Sequence, residues 1–262
     1  MSKSTDTKNY LFSRKDLITL LIPLIVEQML AILVGLADSI MVASVGEAAV
    51  SGVSLVDSCF ILLIQVFSAL ATGGAVVAGQ YLGLKDDKNA GEAANQLVWF
   101  VTLVSVAIMV IVYLCKGLIL NGVFGQIDAD VEGHANTYLL IVTASIPFLA
   151  LYNCGAAIFR SMGNSKVSMK ISIIMNGINV VGNAILVYGF KCGTEGVAIP
   201  TLVSRIFAGV VITVLACNQS LQLHIKKTLK YKIQWKMVKR ILYIGVPNGL
   251  ENSMFQLGKI LV

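Results

Sequence analysis

Apolar residues run along this chain in seven long, nearly uninterrupted stretches that are separated by short polar segments. Most stretches reach roughly 20 residues or more, enough for a helix to cross a hydrocarbon core about 30 Å thick. They are continuous and not alternating, so they predict helices whose backbone hydrogen bonds are satisfied internally, as lipid requires. The predicted segments are 17–43, 50–81, 97–120, 138–159, 171–190, 197–217 and 241–262.

The composition supports a membrane protein, because 56% of the residues are hydrophobic and only 13% are charged, which is unusual for a soluble globule. Lysine and arginine are concentrated in the N-terminal arm and in the second, fourth and sixth connections, whereas the opposite connections contain only Lys116 and Lys191. Basic flanking segments are preferentially retained in the cytoplasm. We therefore expect a multi-pass protein of the cell membrane, plasma or inner, with a cytoplasmic N-terminus.

The net charge of +6 is explained by contact with anionic lipid head groups, so the bilayer is an expected partner and nucleic acid is not. The sequence contains no P-loop, HExxH or GxSxG motif, and its five cysteines lack metal-binding spacing. We expect neither enzymatic activity nor a cofactor. The lack of a nucleotide-binding motif also argues against a pump that uses ATP by itself. If the protein moves a solute across the membrane, the remaining energy source is an ion gradient.

A short internal repeat links the first and last predicted segments. Glu27 and Glu251 each lie four residues after a proline, in IPLIVEQ (22–28) and VPNGLEN (246–252). The likeness is either a coincidence between two membrane helices or a sign that a second, related bundle begins at residue 241.

The repeat, together with the chain ending inside the last predicted helix, suggests a fragment of a longer protein. The predicted division is a six-helix lobe at 1–223, a basic cytoplasmic linker between lobes at 224–240 and a truncated seventh helix at 241–262.

Ionisable residues within membrane spans cost about 2.5 to 3.5 kcal/mol on insertion scales and are therefore candidate functional positions. Asp38 lies near the outer end of the first predicted helix, where a packed carboxylate needs a proton, a cation or hydrogen-bond donors; alternatively it is a simple interfacial aspartate. Glu27, with Gln28 beside it, lies near the middle of the same helix. These two residues are predicted to line a path for a cationic substrate, facing Glu251 if the last helix matches the first.

The fifth predicted helix offers partners for Asp38. Asn179 and Asn183 are four residues apart and share a helix face, and amide oxygens can bind a hard cation such as Na⁺; the alternative is ordinary hydrogen bonding between helices. Asp57, near the outer start of the second helix, and Arg205, in the sixth, are left outside the predicted site, the arginine with a structural role.

Four short motifs resemble those of the multidrug and toxic compound extrusion family, and the likeness runs through nearly the whole chain. Their order and spacing carry the resemblance more than any one of them does. They are GLADSIMV (35–42), GQYLG (79–83), RSMGNSK (160–166) and GVAIPT (196–201).

The resemblance implies an all-α membrane protein, with this chain forming one six-helix lobe of a twelve-helix, two-lobe transporter plus a truncated seventh helix. It also implies exchange of organic cations or drugs for Na⁺ or H⁺ by a rocking motion, for which the missing C-terminal lobe is needed. The family's cation-coupling residues match Asp38, Asn179 and Thr201, which would hold Na⁺ where Na⁺ is the ion. Asn183 stands where the family has a second aspartate, so this site carries one carboxylate fewer.

Two other functions stay open at this point. One is a flippase for lipid-linked precursors from the same broad superfamily, although few basic residues lie within the spans. The other is a structural membrane subunit without transport activity, whose buried acids only pair helices.

Overall fold

The computed structural model describes residues 14–123, 127–225 and 232–261, and within these ranges every regular element is a helix. The chain is all-α, as predicted. The helices are α1 (Arg14–Ala43), α2 (Glu47–Gly83), α3 (Asp87–Leu114), α4 (Lys116–Leu118), α5 (Ala129–Thr143), α6 (Ile146–Ser161), α7 (Ser165–Ala184), α8 (Glu195–Ala216) and α9 (Trp235–Leu261), with π-helical turns at Ile119–Val123 and Ile185–Gly189.

By length and apolar composition, five helices in the described residues are long enough to cross a membrane. The count is six if the pair α5 and α6, whose axes are bent by 49°, forms one span. Although α9 is helical, it is not among these spans by the same criteria. The multi-pass character expected from the sequence is therefore confirmed.

The bend between α5 and α6 corrects the prediction of one uninterrupted helix at 138–159. Pro147 stands in the first turn of α6, and a proline ring clashes with the carbonyl four residues earlier and lacks its own N–H. That carbonyl belongs to Thr143, where α5 ends. The first half of the span also begins earlier than predicted, at Ala129, because its polar first turn carries no apolar signal.

Helix α1 is attached to the bundle along one side only. It packs mainly along α7, with a smaller contact to α2. Much of its apolar surface is exposed, including Ile32 at 64% and Ile40 at 67%. Such surface suits lipid or further protein, so α1 depends on a few specific contacts to hold its place in the lobe.

Helix α9 begins inside the segment predicted to be a linker. It starts at Trp235, before residue 241, where the last apolar segment was predicted to begin. Its main packing partner is α2. At their closest approach a Cβ on Gly73 would lie 2.6 Å from the Ile241 carbonyl oxygen and 2.8 Å from Gly245 N, so these glycines permit the close contact.

The start of α9 is tied to α3 as well. Gln96 of α3 is fully buried, donates from Nε2 to the Lys232 carbonyl at 2.9 Å and accepts from Gln234 N at 3.0 Å. The described part of the predicted linker is thus docked on the first bundle. Residues 226–231 of that linker lie outside the described residues, and the division into lobes stays a prediction.

A candidate cation site between α1, α7 and α8

A chain of polar side chains joins α1, α7 and α8 near the end of α1. Asn183 donates from Nδ2 to Asp38 Oδ1 at 2.6 Å and, over a longer 3.4 Å, to Asn179 Oδ1. Asn179 in turn donates from Nδ2 to Thr201 Oγ1 at 3.0 Å. The structure therefore brings together all four residues that were predicted as a cation-coupling set.

Local geometry places each of these side chains. Asn179 and Asn183 are one helical turn apart on α7, so both face the same neighbours. Gly182 lets α8 approach closely, since a Cβ there would lie 2.7 Å from Pro200 Cβ. Thr201 follows this proline directly, and the close approach carries its hydroxyl to Asn179. Asp38 reaches the group from the last turns of α1.

One oxygen in this group has no hydrogen-bond donor. Within the described residues, Asn183 Oδ1 is buried and unpartnered. The amide orientation follows from its nitrogen, which contacts two acceptors. A buried carbonyl oxygen without a partner costs about 1–3 kcal/mol. This oxygen belongs to the same amide group whose nitrogen donates to Asp38.

The oxygens at this point fit a hard cation. A carboxylate, two amide oxygens and a hydroxyl are the ligand types that such ions prefer. Among the described residues there is no cluster of three His, Cys, Asp or Glu side chains that would bind a transition metal. These oxygens are of the type that could hold Na⁺, and the carboxylate of Asp38 could instead hold a proton.

A cavity of about 600 Å³ lies beside these residues, between α1, α2, α5, α6, α7 and α8. Its lining includes Asp38, Asn179 and Thr201, and also Asp57 and Arg205. The cavity is large enough for a small organic molecule. Two carboxylates and one guanidinium give its lining one formal negative charge.

Asp57 and Arg205, which were left outside the site predicted from the sequence, both line this cavity. Asp57 accepts a hydrogen bond from the Tyr138 hydroxyl at 2.9 Å. Arg205 donates to Ser145 Oγ at 2.9 Å and lies over the Phe60 ring, 5.9 Å from its centroid. Both Asp57 and Arg205 are ionisable residues within apolar spans, and this was the only feature of the sequence that could have placed them in the same site as Asp38.

Glu27 lies in a separate polar cluster, closer to the other end of α1. Its carboxylate accepts from the Tyr152 hydroxyl at 2.7 Å and from Ser168 Oγ at 3.4 Å, and Arg160 Nη1 is 4.0 Å away. Tyr152 also lines the cavity, whereas Glu27 does not belong to its lining. The negative charge of Glu27 is thus balanced inside the lobe, and its place on a substrate path stays a prediction.

The other two residues that were predicted to line a substrate path do not line the cavity. Gln28 and Glu251 are both exposed and are absent from the cavity lining. Glu251 is on α9, which packs on α2, whereas Glu27 contacts α6 and α7. The facing pair of glutamates predicted from the repeat therefore stays a prediction.

Comparison with known proteins assigns the family. The MatE family model matches residues 23–185. An uncharacterized transporter, YisQ of Bacillus subtilis, is 28% identical over 264 residues, covering 99% of this chain and 57% of the relative. A probable multidrug resistance protein NorM of Thermotoga maritima is 26% identical over 255 residues, covering 95% and 53%. The chain thus spans about half the length of the curated relatives it matches.

Solved structures show the same fold. A crystal structure of MATE in the straight conformation superposes with a TM-score of 0.85 at 22% identity, covering 94% of this chain and 54% of that one. An outward-facing multidrug resistance MATE transporter of the MOP superfamily gives 0.83 at 23% identity, covering 93% and 52%. Because the family model spans well over half of the sequence, this chain belongs to the MatE family, the multidrug and toxic compound extrusion transporters.

Proposed function

We propose that this chain forms the first lobe of a secondary active exporter that exchanges organic cations or drugs for Na⁺ or H⁺ by rocker-switch alternating access. Membership of the MatE family and relatives that are called multidrug resistance proteins support the general activity. The observation that carries the proposal is the chain from Asp38 through Asn183 and Asn179 to Thr201, with its unpartnered amide oxygen beside a negatively charged cavity.

Asp38 supports exchange because it belongs to both the polar chain and the cavity lining. An ion bound at the polar chain neutralises the same carboxylate that would attract an organic cation into the cavity. The two ligands therefore compete for one charge, and in an antiporter such competition prevents both from travelling together. Asp57 adds negative charge to the lining, and Arg205 offsets one of the two acids.

The two candidate ions make different demands on the site. Na⁺ needs several oxygens at once, so it would use Asn183 Oδ1 together with Asp38. A proton needs only the carboxylate of Asp38. The proposal therefore assigns Na⁺ if transport depends on the neighbouring oxygens, and H⁺ if it depends on Asp38 alone.

Basic connections at one end of the bundle support an orientation with the N-terminus in the cytoplasm. The transport proposal concerns the whole protein, because the relatives are about twice as long as the matched region.

The deciding experiment uses the full-length transporter in lipid vesicles, with ethidium as the organic cation. An imposed Na⁺ or H⁺ gradient should drive ethidium export in the parent, and Asp38→Asn should reduce the driven rate to that of empty vesicles. Asp130→Asn, an exposed aspartate in the first turn of α5, is the matched control and should keep the parental rate. If Asp38→Asn also keeps that rate, Asp38 is not the coupling residue.

A further inference from the structure

A basic cavity lies where the end of α2 meets the first turns of α9. Its volume is about 530 Å³. The described residues that line it include three basic side chains and two tyrosines but no acidic residue. These are Lys236, Lys239 and Arg240, with Tyr81 and Tyr243.

Among the described residues that line this cavity, no acidic side chain offsets the three positive charges. Arg240 donates from Nη1 to the Tyr81 hydroxyl at 2.6 Å, and its guanidinium carbon is 5.4 Å from the centroid of the Tyr81 ring. Both contacts orient the guanidinium without adding a negative charge. Glu92 accepts a hydrogen bond from Nε2 of Gln234, one of the residues that line the cavity, at 2.7 Å.

The walls of the cavity are held in place by the packing already described. Gln96 fixes the backbone just before α9, and the glycine contact at Gly73 fixes α9 against α2. The cavity is therefore formed before a ligand arrives, which lowers the ordering cost of binding.

Two aromatic side chains indicate the depth of this cavity in the membrane. Trp235 is 69% exposed and Tyr243 is 82% exposed, and they flank the basic residues along α9. Exposed tryptophan and tyrosine favour the level of the lipid head groups. The basic side chains therefore lie at the depth where phospholipid phosphates are found.

We propose that this cavity is a binding site for the phosphate group of an anionic membrane phospholipid. Arg240 presents a guanidinium fork that matches phosphate oxygens, and Lys236 and Lys239 add two point charges. With three positive charges, the site favours a lipid with net negative charge over a zwitterionic one. The ring of Tyr243 and the side chain of Met237 offer an apolar surface to the glycerol backbone and the start of the acyl chains.

The test uses the full-length transporter in vesicles of equal parts phosphatidylcholine and phosphatidylglycerol, with a trace of photoactivatable phosphatidylglycerol. Mass spectrometry locates the labelled peptide. Label is expected within residues 235–243 of the parent. The double variant Lys236→Gln/Lys239→Gln should reduce it by about tenfold or more, since each basic residue near the surface contributes about fivefold to the attraction of anionic lipid.

The matched control is Lys166→Gln/Lys170→Gln, which removes the same charge from exposed positions at the start of α7 and should leave the label unchanged. Equal losses in both double variants would show only general surface attraction and would overturn the site. So would an absence of label at 235–243 in the parent, equal labelling by photoactivatable phosphatidylcholine, or loss of label when soluble glycerol phosphate is added. If the double variant fails to assemble, raising the salt concentration in the parent must weaken labelling by phosphatidylglycerol but not by phosphatidylcholine.

Discussion

Two carboxylates on α1 lie on the same face of the helix but have very different surroundings. Glu27 and Asp38 are 11 residues apart, which is close to three full turns. Glu27 accepts two hydrogen bonds and has an arginine nearby. Within the described residues, Asp38 has one donor, Asn183, whose own oxygen is unpartnered. Partners offset much of the desolvation cost of a buried charge, whereas a charge with incomplete partners is available to bind a ligand.

Both carboxylates also hold α1 against the rest of the lobe. Asp38 contacts Asn183 of α7, and Glu27 contacts Ser168 of the same helix and Tyr152 of α6. Because α1 has so much exposed apolar surface, these two polar contacts are specific attachments, one near the middle of the helix and one near its end. Ligand binding at Asp38 would alter one attachment and leave the other intact.

The largest expected effect is the difference between the two carboxylates in transport. Asp38→Asn should lower ion-driven ethidium export by about a hundredfold, equivalent to about 2.7 kcal/mol, whereas Glu27→Gln should stay within about threefold of the parent, because the amide oxygen of glutamine can still accept the shorter hydrogen bond from Tyr152. Initial rates in vesicles measure both. Equal losses would mean that the two sites act as one functional unit.

A smaller effect is expected at the unpartnered oxygen. Asn183→Leu keeps the approximate shape of the side chain but removes Oδ1, and in a Na⁺-coupled transporter it should raise the Na⁺ concentration for half-maximal export by about tenfold, or about 1.4 kcal/mol. Asn176→Leu is the control, since Asn176 lines the cavity but donates to Ser172. An unchanged Na⁺ dependence combined with an altered pH dependence would assign the proton instead.

The members of the polar chain could be predicted from the sequence, because helical periodicity and short family motifs can be recognised from residues that are close together in the chain. The four-residue spacing of Asn179 and Asn183 places them on one face, and the GLADSIMV and GVAIPT motifs supply Asp38 and Thr201. Their mutual distances needed the structure, because they depend on how closely α8 approaches α7 at Gly182.

The cavity could not be predicted in the same way, because its walls come from six helices. Asp57 was left out of the predicted site because it lies near a helix end, and only the three-dimensional position of Tyr138 makes it a hydrogen-bonded wall residue. The docked start of α9 was also missed. Its polar first turn has low hydropathy, and Gln96, which holds it, is remote in sequence.

The two hydrogen-bond partners of Glu27 are expected to affect stability more than transport. Tyr152→Phe removes the short hydrogen bond from α6 and should lower the free energy of unfolding by about 1.5–3 kcal/mol, since the acceptor is charged. Thermal denaturation of the purified transporter measures this loss, while ion-driven export should stay within about threefold of the parent. A transport loss comparable to that of Asp38→Asn would show that Tyr152 acts in the cavity and not only on Glu27.

The smallest effect is expected at Ser168, the partner of Glu27 on α7. The Ser168 hydroxyl has one proton, and it is shared between Glu27 Oε2 at 3.4 Å and the Ser165 carbonyl at 3.0 Å. The shorter contact competes for that proton, so Ser168→Ala should cost about 0.5 kcal/mol, at the low end for a hydrogen bond. The same denaturation measurement compares it with Tyr152→Phe. If the two variants lose equal stability, α7 holds Glu27 as firmly as α6 does, and α7 then contributes to the attachment of both carboxylates. If Tyr152→Phe loses more, α6 is the main anchor for Glu27 and α7 is the anchor for Asp38.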